Sequence, residues 1–351
     1  HNMTVMIERT GDHLKDKPKY VPRQRLWYIR AKEVILSTGS IERPIVFGNN
    51  DTPGIFLSAA AKEYIKVYGV LVGKKPLIFT NNDSGYETAL EFKKHGIDPI
   101  ILDTREEHSS ELIDSAKNQN IKIKFSYAVI AANGYKKVNS AQIGKLNKEK
   151  TSFVNSETIE CDCICVSGFW TPTVHLASQS GNKLKFDDKI DAFVPDKSKQ
   201  NETSIGASKG TFTLQDILDE GFKKGFDLSK KITNNNNLIS TPSSNEIKKS
   251  LHDKFWCSPL PKNKNFKRFV DFQNDVSVSD IEVALREGYR SIEHVKRYTT
   301  LGMATDQGRT SNLNGLQLVA NVEKKIVPQV GHTTFRPPFT PITIGTIVGR
   351  E

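Results

Sequence analysis

The pattern that most constrains the fold lies between residues 76 and 103, where an apolar strand, an amphipathic helix and a second apolar strand follow one another. The predicted strands run from Pro76 to Phe79 and from Pro99 to Leu102, with a predicted helix from Gly85 to His95 between them. Asp103, about twenty positions after the first turn, completes the layout of a nucleotide-binding βαβ unit. The sequence therefore predicts a parallel sheet covered by helices.

The turn inside this unit departs from the phosphate-binding pattern G-x-G-x-x-G. Asn81, Asp83 and Tyr86 stand in the three glycine places. Their side chains occupy the space in which a pyrophosphate would approach the backbone, and the Asp83 carboxylate adds repulsion between like charges. We therefore predict a nucleotide-binding fold whose own site is closed.

Length and composition are those of an ordinary globular protein, since 351 residues with 37% hydrophobic content suffice for a sizeable core. No apolar run reaches the roughly 18 residues of a spanning helix, and no signal-peptide pattern opens the chain. We expect a cytoplasmic protein without a membrane partner. The net charge of +10 comes from lysines scattered through polar segments, so no nucleic-acid partner is expected.

The cysteines and histidines do not form a metal-binding pattern. Cys161, Cys163 and Cys165 alternate along a predicted strand and so share one face, while Cys257 stands alone. Zinc sites usually combine C-x-x-C knuckles with a second ligand pair, which is missing here, so we predict buried strand thiols and no metal. His175 lacks a Cys, Asp or His neighbour at ligand spacing and is predicted to be structural.

The least generic part of the chain runs from Phe269 to Asn312. Ser277 and Ser279 are candidate N-caps for a helix over IEVALREGY, and a second helical pattern covers Ser291 to Tyr298. The chain then becomes polar and rich in glycine, as is typical of anion-binding loops. The candidate donors here are Lys296, Arg297, Thr299, Thr300, Gln307, Arg309 and Thr310.

This stretch resembles the alpha subunits of heterotetrameric sarcosine oxidases in the runs FVDFQNDV, REGYRSIEHVKRYTTLGMATDQG and TTFRPPFTP. In related amine and amino-acid dehydrogenase subunits the same module resembles a small iron–sulfur domain, with thiolates where this chain has Asp271, Gln273 and Asp306. Such clusters need thiolate ligands. The resemblance therefore implies a helical module that has lost its cluster.

Two earlier segments resemble the first dinucleotide domain of disulfide-reductase-like oxidoreductases. In KEVILSTGSIERP, Thr38 and Gly39 follow a predicted strand at a place that contacts the dinucleotide in that family. From the residues alone, a tight turn before Pro44 explains the glycine about equally well. In ETSIGASKGTFTLQDILDEG, Gly206 and Ala207 stand at the matching second contact. The resemblance implies NAD at these residues.

We therefore predict an α/β chain with the two-dinucleotide-binding-domain fold of the disulfide reductases, incomplete at its N-terminus, plus the small helical module. The oxidoreductase-like domain would span 1–226, with the closed nucleotide fold at about 74–155. A linker over 227–265 and the module over 266–330 would follow. Residues 331–351 would form an exit strap toward an aminomethyltransferase-like domain that this chain lacks.

The resemblance also implies a function within a complex of alpha, beta, gamma and delta subunits. Sarcosine would be oxidised to glycine at an FAD of the beta subunit, and electrons would pass through FMN at the alpha–beta interface to oxygen, giving hydrogen peroxide. The one-carbon unit would go to tetrahydrofolate in the missing domain, or leave as formaldehyde. This chain would hold NAD and the alpha side of the FMN site, and it would carry no catalytic residue.

Within that site, Lys296 and Arg297 would offset phosphate charge, and Thr299 and Thr300 would donate to phosphate oxygens. The remaining donors, Gln307, Arg309 and Thr310, would reach polar edges of the flavin. A subunit-docking loop without any cofactor contact is the alternative for this segment. For the whole chain, the alternatives are the alpha subunit of a related opine, proline or glycine dehydrogenase and a non-catalytic scaffold that binds NAD.

Overall fold

The computed structural model describes residues 2–16, 18–233, 240–245, 252–262 and 264–348. Its strands are β1 Met3–Arg9, β2 Gln24–Arg30, β3 Val34–Leu36, β4 Ser40–Glu42, β5 Ile55–Leu57, β6 Pro76–Thr80, β7 Ile100–Asp103, β8 Lys122–Phe125, β9 Tyr127–Gly134, β10 Val138–Leu146, β11 Phe153–Glu160, β12 Cys163–Ser167, β13 Trp170–Pro172, β14 Leu184–Asp187, β15 Ala192–Pro195, β16 Glu202–Ser204, β17 Phe269–Asp271 and β18 Val276–Ser277. Its α-helices are α1 Ser58–Tyr68, α2 Ser84–Lys94, α3 Glu111–Asn118, α4 His175–Gln179, α5 Leu214–Thr233, α6 Val278–Arg286, α7 Ile292–Thr299, α8 Asn312–Glu323, α9 Val327–Val330 and α10 Ile344–Val348, and a 3-10 helix spans Gly206–Lys209.

The central sheet is parallel, with the strand order β5, β12, β6, β7, β8. On one face, Ile78 and Ile101 pack with buried residues of α1, α2 and α3. On the other face, Phe79 and Leu102 pack against the antiparallel sheet β11-β10-β9. Both faces are covered, which explains why β6 is a continuous apolar run and confirms the predicted βαβ unit.

The strand cysteines are buried and free, as predicted, but they do not share one face. Cys163 and Cys165 pack with the helices, whereas Cys161 packs into the opposite core. Cys161 precedes β12, so the strand alternation that the sequence suggested does not extend to it. Burial raises the pKa of the Cys161 thiol to about 12. Cys161 is therefore a packing residue whose thiol stays protonated near neutral pH.

Shorter strand pairs build the remainder of the first unit. β1 and β2 form an antiparallel hairpin with continuous register from Met3 opposite Arg30 to Arg9 opposite Gln24. β3 pairs in parallel with β16, β4 pairs with β13, and β14 pairs with β15. Because β3 and β16 run in the same direction, the loops that follow them meet at one edge.

The small module begins with the β17–β18 hairpin and continues through α6, α7, α8 and α9. The Ser277 backbone N–H donates to Asp280 Oδ2 at 2.8 Å in a capping box that starts α6. Ile281, Val295 and Val319, from the three longer helices, share one buried core. That core also includes Val46 of the first unit, so the module is packed onto the rest of the chain.

The predicted linker over 227–265 is more ordered at both ends than its composition suggested. Helix α5 continues to Thr233, so the first part of the segment is helical. Farther on, Phe255 and Trp256 are buried, and Val46 exchanges backbone hydrogen bonds with Trp256 and Ser258. Residues 234–239 and 246–251 lie outside the described part of the chain. The predicted extended strap also contains a short helix, α10.

A buried carboxylate lies where β4 meets α1. Glu42 is 3% exposed, and its Oε2 accepts a hydrogen bond from the backbone N–H of Ala59 at 2.6 Å, in the first turn of α1. Burial raises the pKa of Glu42 to about 7. The folded protein therefore binds a proton at Glu42 more tightly than the unfolded chain does.

Replacing Glu42 by Gln tests this assignment. Because the folded-state pKa is raised, the stabilising contribution of Glu42 is complete below about pH 4.5 and is lost as the pH rises through about 7. Urea unfolding should show that Glu42→Gln gains up to about 3 kcal/mol relative to wild type between pH 4 and pH 8. The exposed Glu63→Gln in α1 should show no such trend. A pH-independent difference for Glu42→Gln would contradict the assignment.

Candidate functional site

The predicted closed turn is filled by a buried ion-pair network at the carboxyl edge of the central sheet. Arg105 Nη1 lies 2.9 Å from Asp83 Oδ1, and its Nη2 lies 2.7 Å from Asp103 Oδ2. The Tyr86 hydroxyl also donates to Asp103 Oδ2, at 2.7 Å. Burial alone would lower the pKa of Arg105, but its hydrogen bonds and ion pairs with both carboxylates raise it overall. Asp103, the acidic residue of the predicted nucleotide-binding layout, is thus engaged within the protein.

The segment after residue 252 covers the same edge. The backbone N–H of Asp253 donates to the Asn81 carbonyl at 2.9 Å, and Asn81 Nδ2 donates back to the Asp253 carbonyl at 2.8 Å. The Asp253 carboxylate pairs with Lys150, and His252 stacks on Phe169 with ring centroids 4.1 Å apart. The chain therefore occupies the place where this fold would hold a nucleotide.

The four residues predicted to contact the first dinucleotide come together in the structure. Ile205 donates its N–H to the Leu36 carbonyl at 3.0 Å, which aligns the ends of β16 and β3. Thr38 and Gly39 follow β3, and Gly206 and Ala207 follow β16, so both loops leave the same edge. Gly39 and Gly206 have φ of 71° and 66°, values that favour glycine.

The two loops differ in the space that they leave. Among the described residues, no atom lies within 4 Å of a Cβ built on Gly39. The Thr38 hydroxyl donates to the Thr173 carbonyl at 2.6 Å, and the Gly206 N–H donates to Glu220 Oε2 at 2.8 Å. Gly39 thus has open space for a ligand, whereas the Gly206 N–H already has a partner.

In the small module, a buried carboxylate stands where relatives were expected to carry a thiolate. Asp271 is 2% exposed. Its Oδ2 accepts from the Gly302 N–H at 2.7 Å, and its Oδ1 accepts from the N–H groups of Gln273 and Asn274 at 3.0 and 3.3 Å. Within the described ranges, no group of three or more His, Cys, Asp or Glu residues is arranged to hold a metal ion. Hydrogen bonds to Asp271 therefore organise the loop after α7.

That loop borders an open cavity of about 420 Å³. Lys296 and Arg297 reach it from the last turn of α7, where cations are favourable because the helix dipole is negative at this end. Arg336 reaches it from the strap, and Arg297 and Arg336 are both exposed. Glu293 is the acidic residue in the lining, and its Oε1 accepts from the Thr334 N–H at 2.8 Å. The lining therefore carries three cations against one carboxylate.

The structure separates the predicted FMN donors into two groups. Lys296, Arg297 and Gln307 line the open cavity, whereas Arg309 lines a different, smaller one. Arg309 is held by Phe339, since its Nη2 donates to the Phe339 carbonyl and its Cζ lies 3.9 Å from the Phe339 ring centroid. The predicted common pocket is thus incorrect for Arg309, because the strap draws this side chain away.

The predicted hydroxyl donors also differ from expectation. Thr299 Oγ1 donates to the Val295 carbonyl at 2.7 Å, and Thr300 Oγ1 donates to the Thr299 carbonyl at 2.5 Å. Their protons are therefore engaged by the backbone rather than free for a phosphate. Thr310 is half-buried and lines neither cavity.

Both ends of the Gln307 amide bind the strap. Its Nε2 donates to the Pro338 carbonyl at 2.8 Å, and its Oε1 accepts from the Arg336 N–H at 3.0 Å. Gln307 thus fixes the strap against the loop. Sequence reasoning missed Arg336, Glu293 and Met303 as lining residues, because only the return of the strap brings Arg336 to α7. The run TTFRPPFTP contained the one available signal, an arginine beside prolines.

Comparison with known proteins gives a consistent result. Residues 265–350 match the family described as the sarcosine oxidase A3 domain. The sarcosine oxidase subunit alpha of Rhizobium meliloti (strain 1021) is 34% identical over 355 residues, covering 99% of this chain and 34% of that protein. The subunit alpha from Corynebacterium sp. (strain P-1) is 33% identical over 358 residues, covering 99% of this chain and 37% of that protein. The chain thus spans about a third of the length of these relatives.

Among solved structures, the L-proline dehydrogenase of P. horikoshii superposes with a TM-score of 0.65 at 20% identity, covering 93% of this chain and 60% of that one. The chain therefore has an α/β fold of the disulfide-reductase-like type, followed by residues 265–350 that match the sarcosine oxidase A3 domain. Over nearly all of its length it is similar to the alpha subunits of sarcosine oxidase, which confirms the resemblance carried by its sequence motifs. In the described part of the chain, no helix has both the length and the apolarity needed to cross a membrane.

Because Arg105 is the cation that pairs with both buried carboxylates of the closed fold, we expect its replacement to lower the stability of the protein strongly. Arg105→Met leaves Asp83 and Asp103 buried without their shared partner, so the free energy of unfolding should fall by about 3–5 kcal/mol. Urea denaturation measures this change. As a matched control, Arg23 pairs with Asp12 while its side chain is 73% exposed, so Arg23→Met should cost at most about 1 kcal/mol. Equal losses in the two variants would show that the network does not hold this edge closed.

Proposed function

We propose that this chain is the part of a sarcosine oxidase alpha subunit that binds NAD and supplies the alpha side of an FMN site. The supporting observation is the cation-lined cavity on a module that matches the A3 domain. In the complex, a beta subunit would oxidise sarcosine at FAD, with oxygen as the final acceptor. Tetrahydrofolate would be bound outside this chain, and gamma and delta subunits would complete the assembly.

The lining of the open cavity fits the phosphate end of FMN. Lys296, Arg297 and Arg336 supply charge-assisted donors for a dianionic phosphate, and Glu293 is already engaged by the strap backbone. Met303 is 54% exposed and offers an adaptable apolar surface beside the cations. When bound, FMN would supply electron transfer between a reduced donor and an acceptor. The residues of this chain would hold the phosphate and leave the other face of the cofactor to a partner.

Asp271 supports an oxidase subunit over the dehydrogenase alternative. Its carboxylate makes the loop contacts that, by our interpretation, an iron–sulfur cluster organises in the dehydrogenase subunits. The similarity to L-proline dehydrogenase concerns the fold alone at 20% identity.

The NAD proposal is based on the two loops that follow the paired strands β3 and β16. Of the residues in these loops, Gly39 has the most open space around it. Because Arg105 closes the turn of the βαβ unit, the NAD proposal is confined to the edge formed by β3 and β16.

Removing the cations of α7 tests the FMN proposal. Arg297→Ala and Lys296→Ala should each weaken FMN binding about tenfold or more, since a charge-assisted hydrogen bond contributes about 1.5–3 kcal/mol. FMN is measured after release from the full-length subunit assembled with its partners. Arg286→Ala, an exposed arginine at the end of α6, serves as the control and should retain wild-type FMN. Full FMN occupancy in both test variants would reject the site.

The NAD proposal is tested by filling the open space beside Gly39. Gly39→Val should lower the bound NAD of the full-length subunit about tenfold or more, because its side chain would enter the ligand space and its positive φ disfavours a branched residue. Gly69 has a similar φ of 64° and equally open surroundings at the end of α1. Gly69→Val therefore controls for backbone strain. Equal NAD content in the two variants would place NAD elsewhere.

A further inference from the structure

A second, smaller cavity of about 40 Å³ lies between the first unit and the small module. It is separate from the open cavity of Lys296 and Arg297. Most of its walls are apolar and come from β4, β14, β15 and α8, through Ile41, Leu184, Phe193, Leu313 and Leu316. Residues 332, 333 and 335 of the strap form another wall. An apolar cavity of this kind strengthens any electrostatic interaction made inside it.

Two side chains in its lining have buried nitrogen atoms without hydrogen-bond partners. His175 is 4% exposed, and neither its Nδ1 nor its Nε2 makes a hydrogen bond. Arg309 Nε is also buried and unpaired. The His175 ring centroid lies 3.9 Å from that of Phe335 and 5.7 Å from that of Phe339, on whose ring Arg309 stacks. Buried unpaired donors are rare in folded proteins, which points to a missing ligand.

A fourth unpaired atom in the lining, Asn312 Oδ1, has a packing explanation. A Cβ on Gly302 or Gly308 would lie 2.1 or 2.2 Å from this oxygen. Both glycines also have positive φ. The Asn312 side chain therefore packs against the backbone of Gly302 and Gly308, and we do not assign it to the ligand.

The charge balance of the cavity favours an anion. Arg309 is permanently positive, and the contacts described for it are with the carbonyl and ring of Phe339 rather than with a carboxylate. Burial, followed by the charge of Arg309, lowers the pKa of His175 to about 4, so its imidazole is neutral near pH 7 and offers one N–H donor. An unpaired guanidinium nitrogen in apolar surroundings is costly, and an anion would remove that cost.

We propose that this cavity binds a small monoanion of the size of formate, held by Arg309 Nε and one N–H of His175. The volume favours a small ligand, because a single water needs about 10–15 Å³ on the same measure. About three non-hydrogen atoms fill the cavity, while glycine or phosphate, with five, would extend beyond it. This inference stands on the cavity alone and does not depend on the assignment of NAD or FMN.

Calorimetric titration of the full-length protein with sodium formate tests the site. Formate should bind saturably at one site per chain. Formamide has the same number of non-hydrogen atoms and no charge, so it should bind about tenfold or more weakly. Glycine and phosphate should not compete with formate. Equal binding of formate and formamide would show that charge does not select the ligand, and no saturable binding of formate would show that the cavity holds only water. Either result would overturn the proposal.

Variants locate the binding. His175→Phe removes the imidazole donor and Arg309→Gln removes the charge, so each should weaken formate binding about tenfold or more. Lys296→Gln lowers the charge of the open cavity and should leave formate affinity unchanged. Retained binding in the first two variants, or loss in the third alone, would overturn the assignment. Should a variant fail to fold, a crystal structure of the wild type in formate decides the question by density between His175 and Arg309.

Discussion

The buried carboxylate of Asp271 is the contact on which the small module depends. It gathers backbone N–H groups from the β17–β18 turn and from the loop after α7, and it does so at 2% exposure. A buried anion is tolerated when several donors surround it, and here the donors come from segments about thirty residues apart in the chain. The loop that it fixes follows Lys296 and Arg297 at the end of α7 and carries Gln307 and Arg309. Both cavities therefore take part of their lining from the loop that Asp271 holds.

A second buried network, the ion pairs of Arg105, closes the nucleotide fold instead of shaping a cavity. Arg105 pairs with the carboxylates of Asp83 and Asp103 at the turn where an open fold of this kind would bind a nucleotide. Asn81 binds the segment that covers these ion pairs. That segment continues through Trp256 to its backbone pairing with Val46. Val46 also contributes to the core of the small module. The covering segment thus connects the closed nucleotide fold to the small module.

Local patterns predicted what is locally determined. Continuous apolar runs and helical periodicity located the βαβ unit, and the glycine replacements at Asn81, Asp83 and Tyr86 predicted steric and charge obstruction of its turn. Contacts between residues far apart in the chain could not be predicted from these local patterns. Arg336 reaches α7 only because Gln307 binds the strap, and Arg309 turns away only because Phe339 stacks on it. Phe255 and Trp256 lie in a polar stretch whose composition suggested a linker, and their burial depends on β-type pairing with a distant residue.

The central claim is that the loop ordered by Asp271 forms a phosphate-binding surface at a subunit boundary. Amide hydrogen exchange of the full-length subunit, compared with and without FMN and its partner, tests this claim most directly. The account predicts slower exchange over residues 296–307 and 334–336, with unchanged exchange over the closed turn at 81–86. Unchanged exchange at the loop, or protection centred on residues 81–86, would contradict it.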